Sequence, residues 1–230
     1  MGTTLVPKLD SARLSIISEC MENYDVGDGD AEWPNNIISR EAVVYSDGTI
    51  ARRTDRVSHM IDGMELALCE RLSKQAAQFM AGIEVGMGSE SGDCFRDFFI
   101  AAAAGAPKPT GINEDLIRKG FGGTLFPLAT ITVEPFAEDT VWWSEVLCDG
   151  EESGPDYFVP WREMSAWFKQ QPAFVGTAFV RIGDQEELFH LPEASLPEGT
   201  ATTGCVLPRL ALGLTHNGSL AGLFGHVVHT

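Results

Sequence analysis

Residues 205–230 read CVLPRLALGLTHNGSLAGLFGHVVHT, and they constrain the fold more than any other stretch of the chain. Asn217-Gly218 suits a tight hairpin turn because both residues tolerate positive φ. A two-residue turn there predicts Thr215 opposite Leu220, Leu214 opposite Ala221, Leu212 opposite Leu223 and Leu210 opposite Gly225. On the other face it sets Ala211 against Phe224 and Arg209 against His226. Both faces are largely apolar near the turn, so both need cover. The pair is expected at the centre of a mainly antiparallel sheet, not as a dangling tail.

Upstream, DSARLSIISECMEN (10–23) reads as a helix capped by Asp10 or Ser11, with Leu14, Ile17 and Met21 at helical spacing. EAVVYSDGTIARR reads as a hairpin turning at Asp47-Gly48. Residues 56–81 carry an apolar stripe, Val57, Ile61, Met64, Leu68, Leu72 and Phe79, that predicts a long helix. A helix over 93–104 follows, with Phe95, Phe98, Phe99 and Ala102 on one face, and then a short one over 113–119. Beyond residue 124, TLFPLATITVEPF and TVWWSEVLC read as strands, and PWREMSAWFKQQP as a helix with Pro160 in its first position. AFVGTAFVRI and EELFHL read as another hairpin. The expected fold class is α+β: a helix-rich N-terminal half packed on a mainly antiparallel sheet formed by the C-terminal half. One domain over 1–230 is expected, with a candidate sub-boundary at Gly120–Gly123.

The chain has 230 residues, 33 acidic against 16 basic, for a formal charge of -17. Such a surface repels phosphate backbones and anionic bilayers, so nucleic acid and membrane are not expected partners. It favours association with a basic partner. Cys20, Cys69, Cys94, Cys148 and Cys205 are scattered, with no CxxC pair, as for reduced thiols in a cytoplasmic protein.

Cys94 is the sharpest catalytic candidate. If a helix opens there, its dipole and free N–H groups lower the thiol pKa, while Asp93 beside it works the other way. GDCFRDFFIAAAAGAP resembles the cysteine helix of papain-like and transglutaminase-like thiol enzymes, and TVWWSEV lies where their histidine strand follows. That resemblance implies a thiol-dependent hydrolase or transferase. The strand carries Thr140, Val141 and Trp142 where the base belongs, so the general base would have to be His190 or His226. A buried, structural Cys94 is the favoured reading.

The acidic run from Asp25 to Glu32 begins like a Ca²⁺ loop but has Trp33 and Ser39 where Gly and Glu are required. His226 and His229 point to opposite faces of a strand. No metal site and no cofactor are indicated. Trp142, Trp143, Trp161 and Trp167 crowd residues 140–168, as a core or as an exposed patch for a partner or apolar ligand. Arg52, Arg53 and Arg56, with Arg40 nearby, form the one basic concentration and suggest contact between copies in a homodimer. The expected function is a non-catalytic binding or accessory protein acting through an aromatic-rich surface of the β half, with a protein or small molecule as partner. The alternatives are the Cys94 enzyme and a small apolar ligand-binding protein.

Overall fold

The computed structural model describes residues 8–21, 37–55, 60–127, 129–183 and 206–229. The fold is α+β, built on a six-stranded antiparallel sheet with a separate two-stranded hairpin. The hairpin is β1 (Ala42–Val44) and β2 (Ile50–Arg52). The main sheet contains β3 (Ser91–Gly92), β4 (Arg96–Ile100), β5 (Ile131–Glu134), β6 (Phe174–Ile182), β7 (Val206–Thr215) and β8 (Leu220–Val228). Its order is β3-β8-β7-β6-β5, with β4 also paired to β8. The helices are α1 (Ser11–Ser18), α2 (Gly63–Phe79), α3 (Glu114–Gly120), α4 (Val141–Ser153) and α5 (Phe158–Gln170), with 3₁₀ turns at Glu19–Met21 and Pro155–Tyr157.

Every residue of β7 and β8 is buried, as two-sided apolar strands require. One face carries Leu210, Leu212, Leu214 and Phe224, and meets Phe98 and Phe121. The other meets α4 and α5, with Trp142 stacked on Phe179 at 4.6 Å and Phe95 edge-on to Trp161 at 5.8 Å. Residues on both sides of the Gly120–Gly123 turn, such as Val44, Ile50, Phe179 and Leu210, share this core.

The predicted register is wrong by one residue. Leu214 faces Leu220, Leu212 faces Gly222 and Leu210 faces Phe224. The loop is longer than two residues: Thr215 N–H bonds Ser219 O and Gly218 N–H bonds Thr215 O, with Gly218 at φ 93°. The first hairpin closes identically, through Tyr45, Thr49 and Gly48 at φ 79°. Both are three-residue loops in which a left-handed glycine ends the turn, so only one position needs positive φ.

Two predicted elements exchange type. Residues 96–100 form a strand, not a helix, because Phe98 and Phe99 are buried on opposite faces and no alternation marks such a strand. Residues 141–153 form a helix, not a strand. Trp142, Trp143 and Val146 are buried hydrophobic residues on it, and Glu134 Oε1 accepts the Val141 amide at 2.8 Å at its start. The long helix begins at Gly63, where Asp62 Oδ1 caps it by accepting the Met64 amide at 2.7 Å. Pro160 falls in the first turn of α5 but not at its first residue. The acidic run 25–32 and EELFHL lie outside the described residues.

Candidate functional site

β3 and β4 run along the same neighbour, β8, in different registers. Gly92 pairs with Val227 and Arg96 with Phe224, so four residue steps oppose three. The extra residue makes a β-bulge around Cys94. Asp93 N–H still bonds His226 O at 3.3 Å, and on the outer side Val85 N–H bonds Asp93 O at 3.3 Å. Gly92 is required here: a Cβ would lie 1.8 Å from Val85 O. The bulge lets the side chains of Asp93 and Arg96 meet in an ion pair.

Above the bulge, the 3₁₀ turn after α1 supplies Glu19. Arg96 Nη2 reaches Glu19 Oε1 at 3.2 Å, and His226 Nδ1 stands 3.7 Å from Glu19 Oε2. One ligand atom each from Glu19, Asp93 and His226 falls within 4.8 Å of the others. Burial and a hydrogen bond to Asp93 push the Glu19 carboxyl up, against the pull of Arg96. Burial also acts to raise Asp93, but the Cys94 amide, Glu19 and Arg96 together hold it down. The His226 ring is pushed down by burial, an effect Asp93 only partly offsets. Its ring forms no hydrogen bond to any described residue.

The sequence candidates lie as follows. Cys94 is half-buried in the bulge, not at a helix N-terminus, and its thiol hydrogen-bonds no described residue. His226 lies near the same bulge, but its ring faces Glu19 rather than Cys94. His190 lies outside the described residues. Trp142, Trp143 and Trp161 are buried and Trp167 partly buried, all four packed in or against the core. Arg52 and Arg53 are exposed, with Arg52 Nε bonded to Gly123 O at 3.0 Å; Arg56 lies outside the described residues. Sequence reasoning missed Glu19, Asp93 and Arg96 as partners of His226. They lie far from His226 in the chain, and no motif links them.

A second feature is a groove at the start of α2, lined by Asp62, Met64, Glu65, Leu68, Arg71 and Asn217. Met64 is 84% exposed and nearby Met60 55%. The hairpin tip is clamped to the groove floor. Buried Glu65 accepts Thr215 Oγ1 at 2.5 Å and Asn217 Nδ2 at 2.8 Å.

No family model matches the chain, and no curated protein matches it. Among the described residues, no helix is long and apolar enough to cross a membrane.

Proposed function

We propose that the protein is a non-catalytic binding protein whose contact surface is the α2 groove, and that it takes an amphipathic basic segment of a protein partner. The carrying observation is Met64, 84% exposed in a groove that Leu68 also lines, with Met60, 55% exposed, just before the helix begins. Methionine is flexible and polarizable, which suits adaptable apolar contact. Asp62 and Glu65 outnumber Arg71 in the lining, and the chain as a whole carries -17, so a basic partner is the complementary one. Other charged clusters serve the fold: Arg181 with Glu134 and Glu145, and Asp149 with two loop amides and Tyr157. Among the described residues no base hydrogen-bonds the Cys94 thiol, which favours binding over thiol chemistry.

Methyl NMR of the methionines tests this. A synthetic Leu/Lys amphipathic helix should shift the Met60 and Met64 signals, and the Leu/Glu peptide of the same pattern should not. Equal shifts with both peptides, or none with either, overturn the reading.

Self-association is a second reading. Arg52 and Arg53 are exposed and form no ion pair with a described residue. Contact with the acidic surface of another copy would weaken with salt. Monomer alone in sedimentation at low ionic strength and high protein concentration overturns it.

A further inference from the structure

We propose that Glu19, Asp93 and His226 bind one divalent first-row transition ion, zinc by their chemistry, and that Arg96 is the side chain it displaces. One imidazole with two carboxylates is a zinc-type donor set that leaves a coordination position for water.

The geometry supports it in two independent ways. The three ligand atoms already lie within 4.8 Å of one another, and the Nδ1–Oε2 separation is 3.7 Å. Donors on one tetrahedral zinc ion, at roughly 2.0–2.2 Å from it, stand roughly 3.3–3.6 Å apart. Closing the set therefore needs only a small movement, and the Glu19 side chain is 35% exposed at the start of a short 3₁₀ turn. The second observation is the state of His226. Its residue is 8% exposed, yet the ring hydrogen-bonds no described residue and Nδ1 points toward Glu19. Glu19 Oε2 stands 3.7 Å from Nδ1, beyond hydrogen-bond reach, and a metal between them would bond both.

Arg96 is the obstacle and the control. Its guanidinium contacts both carboxylates, so it supplies the positive charge between them. Its side chain is 37% exposed, which leaves it a route toward solvent when an ion competes. The ligands come from three elements, the 3₁₀ turn after α1, the bulge and β8. An ion there would tie the first helix to the sheet edge and stabilise the folded state by mass action.

The test is cobalt(II) titration of the chelator-treated full-length protein, followed by zinc competition and by melting temperature with and without zinc. Wild type should take up one ion with visible bands of nitrogen and oxygen ligation, and its melting temperature should rise with zinc. His226→Ala and Asp93→Asn should each weaken binding at least about tenfold, and Arg96→Gln should tighten it roughly tenfold by removing a competing charge. Should His226→Ala fail to fold, Glu19→Gln, at a side chain 35% exposed, makes the same test. Three results overturn the site. They are no uptake by either wild type or Arg96→Gln, ligand variants that bind as wild type does, or a thiolate charge-transfer band placing the ion on Cys20 or Cys94. None of these outcomes bears on the α2 groove, so the two proposals fail separately.

Discussion

Arg181 stands directly opposite Arg209 across β6 and β7, two guanidiniums in register on buried strands. Like charges placed so repel each other. Glu145 of α4 separates them, accepting Arg181 Nη1 at 2.7 Å and standing 3.6 Å from Arg209 Nε. Glu134 takes Arg181 Nε at 3.2 Å through one oxygen and the first amide of α4 through the other. The arginine pair thus fixes where α4 begins.

Arg181→Met should cost about 3–5 kcal/mol at neutral pH, because it leaves buried carboxylates short of a counter-charge. Burial already raises the Glu145 carboxyl against the pull of Arg209 and Arg181. A carboxyl raised in the folded state loses stability as pH rises through its folded pKa. Removing Arg181 raises it further, so the deficit should shrink as pH falls toward the ordinary carboxylate range. Urea unfolding at pH 7 and pH 5 checks this, and an equal deficit at both contradicts it.

Glu65 joins α2 to the β7–β8 turn. Asn217→Ala should cost about 1 kcal/mol, one hydrogen bond, and Glu65→Ala about 2–3 kcal/mol, since two charge-assisted bonds end there. A double-mutant cycle should show coupling between the two sites. Strict additivity would mean the clamp is absent in solution.

Asp149 holds the 86–88 loop. Its carboxylate accepts the amides of Met87 and Gly88, the second at 2.9 Å, and the Tyr157 hydroxyl at 3.0 Å. Met87 has φ 51°, a conformation that needs external support. Asp149→Ala should speed hydrogen exchange at Met87 and Gly88 at least tenfold while leaving β7 and β8 amides protected. Unchanged exchange at both amides would refute the anchoring role.

The thiols should react in two groups. Cys148 is exposed and Cys94 half-buried, whereas Cys20 and Cys69 are buried. Burial pushes Cys69 up to about 12 and Cys20 well above its ordinary value. Of the four described thiols, mapping of alkylated peptides at pH 8 should find Cys94 and Cys148 before Cys20 and Cys69, which are modified only as the protein opens. Early modification of Cys20 would contradict the burial of the 3₁₀ turn.

The terminal hairpin was legible because apolar residues on two faces admit only a covered, central pair. Its register was not, since NG marks a turn without stating whether two or three residues close it. The exchange of strand and helix at 96–100 and 141–153 has one cause. FRDFFI and VWWSEV are short apolar runs, and their surroundings, not their periodicity, decide their type. The tryptophans read first as core and second as an exposed patch, and Trp142 packs on Phe179 in the core. The Glu19–Asp93–His226 cluster was illegible because an inserted residue in an edge strand creates it, and a bulge has no fixed signature.

The same inserted residue has a consequence for solubility. It divides the run from Ser91 to Ile100 into segments of two and five residues. Two carbonyls of that run are occupied from outside the sheet, Asp93 O by the Val85 amide and Phe99 O by Arg13. The opposite rim, β5, is only four residues long. Short, broken and capped rims are how natural sheets avoid templating growth from one molecule to the next. Along the described rims of the main sheet, a second copy would find only short segments on which to add a strand.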